Sequence, residues 1–170
     1  MCYGLCILYW YLSVGCLISM SPDTIYILAN VLAFGGWIAL LLSVYMSETV
    51  SLFASRVVPV VLAVVYTVLM FSLLPFKGGG FESLTSLAKL FAQPEIALAG
   101  WIHYLVFDLF IGAWQVQTAK RDKLPKLLIV PALLLTMLLG PLGLLFFLAA
   151  RFLYRRKSRD VHQANFDTNR

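Results

Sequence analysis

Charge is scarce in this sequence. Asp, Glu, Lys and Arg make up 12% of its 170 residues, about half the share a soluble domain carries, too little to clothe a globular body in water. Metal ligands are few as well: two histidines, His103 and His162, and three cysteines, Cys2, Cys6 and Cys16, all in the first segment. A metal site needs three or four ligands, so none is expected. The cysteines form neither a ligand spacing nor a paired framework and read as small apolar residues. No serine occupies a nucleophile elbow, which excludes Ser-His-Asp catalysis. The run Lys77-Gly78-Gly79-Gly80 lacks the Lys-Ser/Thr of a phosphate loop and the spacing of a dinucleotide fingerprint; it reads as a flexible linker. A soluble basic surface with interleaved aromatics is also missing, and with it the expectation of a nucleic-acid partner.

What the sequence does hold is apolar length. It is 61% hydrophobic, with a mean hydropathy of +0.88, which makes a lipid bilayer its natural solvent and first partner. Backbone polar groups in lipid must bond within the chain, so spans are helices or closed barrels. The long unbroken runs exclude the alternating pattern of a barrel. At about 20 residues per span, the expectation is an all-α integral membrane bundle of about four transmembrane helices. A hydrophobic N-terminal segment and a short interfacial helix accompany it.

The segment 1–20 is apolar and uncharged, without the basic start or cleavage site of a signal peptide. Met20 precedes Ser21-Pro22-Asp23, an N-cap, a first-turn proline and an acid, so translation from Met20 is a second reading. The membrane domain is expected over 21–153. Spans are predicted at Pro22–Tyr45, Val57–Leu74, Pro94–Gln117 and Lys126–Leu153, with a polar turn around Glu48. Pro59 falls in a first turn, where its missing N–H does little harm. Leu84, Leu87, Ala88 and Phe91 recur at helical spacing and mark the interfacial helix. Pro141, inside Gly140-Pro141-Leu142-Gly143, is expected to kink the fourth span. Residues 154–170 form a basic polar tail, expected to be disordered.

The net charge of +5 comes mainly from clusters at Lys120–Lys126 and Arg151–Arg159, on either flank of that fourth span. The positive-inside rule wants both in the cytoplasm, and an unbroken span puts them on opposite sides. On alternate sides, Lys77, Lys89, Arg151, Arg155, Arg156, Lys157, Arg159 and Arg170 stand against Arg56, Lys120, Arg121, Lys123 and Lys126. The larger set favours a cytoplasmic or stromal C-terminus.

The third span carries the groups with chemistry. Asp108 and His103 fall near mid-membrane, where an aspartate costs about 2.5–3.5 kcal/mol to insert and so needs a partner or a purpose. At about 100° per residue, Trp101, Tyr104, Leu105, Asp108, Gly112 and Gln115 share one stripe, while His103, Phe107, Phe110 and Trp114 share another. Five residues separate His103 from Asp108, about 140° around the helix, so each needs a partner from elsewhere. For Asp108 the best candidate is Asn30, which taken alone reads as interhelical glue.

The run from Gly100 to Trp114, Gly-Trp-Ile-His-Tyr-Leu-Val-Phe-Asp-Leu-Phe-Ile-Gly-Ala-Trp, resembles the heart of the neoxanthin-synthesis membrane protein family, known from abscisic-acid-deficient plants. Ala29-Asn30, Gly36-Trp37, Val58-Pro59, Gly79-Gly80-Phe81, Pro131 and Gly140-Pro141-Leu142-Gly143 stand in the same order, and the likeness covers about Asp23 to Arg151. Plant members carry a plastid transit peptide; this N-terminus is neither Arg- nor Ser-rich, which suits a bacterial or cyanobacterial homologue. The expected location is a bacterial inner or thylakoid membrane, or a plastid membrane in a eukaryote.

The resemblance implies carotenoid metabolism, in which violaxanthin becomes neoxanthin when a ring epoxide opens to an allene. That isomerisation is redox-neutral and needs an acid and a base but no cofactor. A dry interior favours the uncharged form of both groups, which makes Asp108 the candidate acid and His103 the candidate base. Asn30, Trp101, Tyr104, Phe107, Phe110 and Trp114 are the candidate substrate-binding residues. Aromatics at helical spacing equally pack against neighbouring helices or lipid. Two other readings stay open: a non-catalytic carotenoid-binding or accessory protein serving a membrane-protein partner, and a small transporter, for which the internal repeat usual in that class is not evident.

Overall fold

A computed structural model describes residues 20–45 and 56–168, and the side chains of these as far as Lys157. The N-terminal segment with its three cysteines and the polar turn around Glu48 lie outside the described residues. Among the described residues the chain forms six α-helices and no strand: α1 (Pro22–Ser43), α2 (Val58–Ser72), α3 (Leu84–Phe91), α4 (Pro94–Arg121), α5 (Lys126–Leu139) and α6 (Pro141–Thr168). Two of them, α1 and α4, are long and apolar enough to cross a membrane. By packing, the chain falls into two units, one of residues up to Gly35 with Val58–Phe107, the other of Gly36–Val57 with the chain from Asp108 on.

The helix starts follow local chemistry. Pro22, Pro94 and Pro141 each occupy a first helical position, where a missing N–H leaves no bond unmade. Ser21 accepts from the Thr24 amide, and Ser83 caps α3 by accepting from the Ser86 amide at 3.1 Å. Asp23 and Glu95 lie in their first turns, where a negative charge suits the positive end of the helix.

In the first unit, Ile25 and Ala29 of α1, Leu62 and Leu69 of α2, Leu90 of α3 and Ile96, Ala99 and Ile102 of α4 are buried. The α3 helix buries Leu90 and leaves Leu84 82% exposed, so the face marked by the apolar spacing looks outward. The glycine run, expected to be a flexible break, is held against α3. A Cβ on Gly79 would meet the Leu90 amide and the Ser86 carbonyl at 2.6 Å, and Gln93 Nε2 donates to the Lys77 carbonyl at 2.7 Å. Only a residue without Cβ lets the backbone approach a helix so closely.

The second unit corrects the reading of the fourth span. Instead of kinking, the helix ends at Leu139 and a new one starts at Pro141, because Gly140 adopts φ +38° and turns the chain back. A Cβ on Gly143 would collide with the amide and hydroxyl of Thr136, so α6 returns along α5 at close backbone contact. Further along, Arg151 of α6 reaches Asp122, just before α5, at 2.5 Å. The pair is thus an antiparallel hairpin, and both basic clusters meet at the Asp122 end. The conflict with the positive-inside rule rested on one unbroken helix and disappears with it. The α6 helix also continues through the expected disordered tail as far as Thr168.

Candidate functional site

The candidate residues fall in both units. In the first, Trp101 of α4 is the hub. Its indole Nε1 donates to Asn30 Oδ1 at 3.2 Å, and Asn30 Nδ2 donates to the Tyr26 carbonyl one turn back at 2.7 Å. The Trp101 ring lies 6.1 Å from Tyr26 and 5.6 Å from Tyr104, so three aromatics form a ladder from α1 along α4. Asn30, offered by the sequence as a partner of Asp108, orients this ladder through Trp101. Beside it opens a cleft of about 310 Å³ lined by Pro22, Asp23, Tyr26, Pro94, Ala97, Leu98 and Trp101. A second, wholly apolar cleft of about 110 Å³ runs between α1 and α2 over Leu28, Leu32, Leu62 and Val65.

His103 occupies another face of α4. It is exposed, and its ring lies 5.3 Å from Tyr66 of α2 and 4.6 Å from Phe107. On the same stripe Phe107 and Phe110 are 54% and 58% exposed. Its last member, Trp114, turns edge-on to Phe147 of α6 at 5.5 Å in the second unit.

Asp108 is buried, at 8% exposure. A Cβ built on Gly140 would lie 2.9 Å from its Oδ1 and 3.4 Å from its Oδ2, so the carboxylate rests on the glycine that opens the hairpin, one residue before α6. This joins Asp108 to Gly140-Pro141-Leu142-Gly143, a contact no sequence spacing announced.

Along the same stripe, Gly112 lies against Trp37 and Leu40 of α1, where a Cβ would come within 2.9 Å of the indole. Gln115 is fully buried and donates from Nε2 to Thr136 Oγ1 of α5 at 2.9 Å. The Thr136 hydroxyl donates in turn to the Ala132 carbonyl at 2.8 Å. The sequence singled out Gln115 only as a member of the stripe and passed over Thr136, a threonine in an otherwise apolar run. Among the described residues no three His, Cys, Asp or Glu side chains are grouped to hold a metal.

Beyond the hairpin's open end, Asp122 is held by Arg151 at 2.5 Å, Arg155 at 3.8 Å and Arg121 at 3.9 Å. The hydrogen bond from Arg151 holds its carboxyl below the ordinary aspartate range; burial opposes that, and the charges of Arg151, Arg155 and Arg121 reinforce it.

These features define an all-helical protein with an aromatic cleft in one unit and a buried carboxylate seated on a glycine hinge in the other. The model of the ABA DEFICIENT 4-like family matches residues 24–147, and the chain belongs to that family, the neoxanthin-synthesis family its motifs resemble. Membership associates it with carotenoid and xanthophyll metabolism. Neither the curated proteins nor the solved structures yielded a match.

Proposed function

We propose that the chain is a multi-pass membrane protein that opens a carotenoid epoxide to an allene, as in neoxanthin formation, without a cofactor. The observation that carries the reading is Asp108: a buried carboxyl group inside the family-matched region, seated where the chain must be glycine. In the reaction the epoxide oxygen takes up a proton as one of its C–O bonds breaks. A proton leaves the carbon next to the ring, and its electron pair becomes the second double bond of the allene. Nothing is oxidised or reduced overall. Asp108 is the proposed acid and His103 the proposed base, while the Tyr26–Trp101–Tyr104 ladder with Asn30, together with Phe107, Phe110 and Trp114, offers apolar aromatic surface to a long polyene.

Membrane embedding is supported by the outward faces. Ile27, Val31, Phe34 and Ile38 of α1, Val60 and Val64 of α2 and Leu134 and Leu138 of α5 are all exposed, and helices apolar all round belong in lipid.

One observation favours a second reading. His103 is exposed whereas Asp108 is buried, and the carboxylate's seat on Gly140 is what a fastening role would use. On this reading the protein binds carotenoid, or supports a membrane-protein partner, without turning it over. Expression of wild type and Asp108→Asn in a carotenoid-producing host fed an epoxy-xanthophyll separates the two. A new allenic pigment made by wild type, repeated with purified protein and lost in the variant, supports the isomerase. Unchanged pigments with carotenoid copurifying support the binding role.

A further inference from the structure

We infer that the open end of the α5–α6 hairpin is a binding surface for anionic lipid headgroups. The inference rests on the membrane embedding proposed above and goes beyond it in naming the leaflet chemistry this end selects. Lys120 and Arg121 end α4, Lys123 and Lys126 bracket the turn, and Arg155–Lys157 project from α6. The salt bridges from Asp122 to Arg121, Arg151 and Arg155 fix these three segments at one end of the unit. Between Lys120 and Lys157 the sequence has one acid, Asp122, and the half-buried Arg151 is bonded to it at 2.5 Å. The other seven cations are exposed, without a second carboxylate in that stretch to neutralise them.

Beside them lies an apolar skirt. Leu127 is 86% exposed, Phe152 60% and Leu153 63%, and Lys126 Nζ stands 4.8 Å over the ring of Tyr45. Long cationic side chains above exposed leucine and aromatic rings suit the boundary between acyl chains and headgroups. A phosphate in that plane meets several guanidinium and ammonium donors at once, whereas a zwitterionic headgroup brings its own positive charge to the same cluster. The negative charge of a phosphatidylglycerol-type headgroup is the chemistry that fits.

The test uses the full chain, purified in mild detergent and titrated with phosphatidylglycerol or phosphatidylcholine while bound lipid is counted by native mass spectrometry. Phosphatidylglycerol is expected to be retained in preference. The triple variant K120Q/K123Q/K157Q, all exposed positions, should weaken that retention roughly fivefold per charge removed, while K77Q/K89Q in the other unit leaves it intact. Equal retention of the two lipids, or displacement of phosphatidylglycerol by inorganic phosphate at matching concentration, overturns the inference. A chain that stays in membranes through an alkaline wash but shows no lipid preference sinks this inference alone. Release by that wash sinks the membrane reading with it.

Discussion

Gly140 stands at φ +38° with Asp108 Oδ1 only 2.9 Å from where its Cβ would be, so two constraints act on one position. Gly140→Ala must strain the backbone and displace the carboxylate together. A destabilisation of about 1–3 kcal/mol is expected, read as a lower unfolding temperature in detergent. Asp108→Asn keeps the shape of the group and should leave that temperature nearly unchanged, so loss of product in this variant would report on chemistry rather than on folding. The Gln115–Thr136 pair makes a different demand. Gln115→Leu or Thr136→Val each removes one partner of a buried hydrogen bond, and the double variant should lose less than the sum of the singles. A double-mutant cycle should give a coupling of about 0.6–1.7 kcal/mol, the range for polar contacts between membrane helices. At this scale the sequence was readable wherever periodicity alone decides. On the first stripe Leu105, Asp108, Gly112 and Gln115 are buried, while Tyr104 is half-buried and Trp101 exposed; on the second, Phe107 and Phe110 are exposed. Asp108 rests on Gly140 and Gln115 bonds Thr136, both far along the chain, and spacing holds no record of either.

Helix boundaries divide the same way. Ser21-Pro22-Asp23 and Pro94-Glu95 carry their own start signals, and α1 and α4 begin there. The kink expected at Pro141 is instead a stop, since a proline within an apolar run can end a helix as well as bend it. The stop prevails through tertiary contact: Gly143 lets α6 lie on Thr136, and Arg151 fastens the far end to Asp122. That fastening has a sign in pH. The folded carboxyl of Asp122 lies below its ordinary range, so its contribution to stability is complete above the unfolded value and is lost as pH falls through the folded one. Unfolding temperatures measured from neutral pH down to about pH 3 should therefore fall for the wild type. They should fall less for Asp122→Asn, which begins lower at neutral pH. Parallel curves for the two proteins would mean the ion pair contributes nothing to the hairpin.

For the molecule as a whole, the hairpin changes what the charges say about the membrane. With α5 and α6 as one straight span, Lys123 and Lys157 would stand on opposite faces, and one basic cluster would defy the positive-inside rule. With the chain reversed at Gly140, both lie at the Asp122 end of the hairpin, and on the membrane reading proposed above they share one face. A single experiment separates these geometries without reference to substrate. In a background where Cys2, Cys6 and Cys16 are replaced by alanine, Lys123→Cys and Lys157→Cys are introduced one at a time, and sealed vesicles of known orientation are treated with a membrane-impermeant maleimide. Labelling of both positions from the same side, the cytoplasmic one if the rule holds, is the expected result. Labelling from opposite sides would restore the unbroken span, and with it a topology in which the cationic end could not act as one surface.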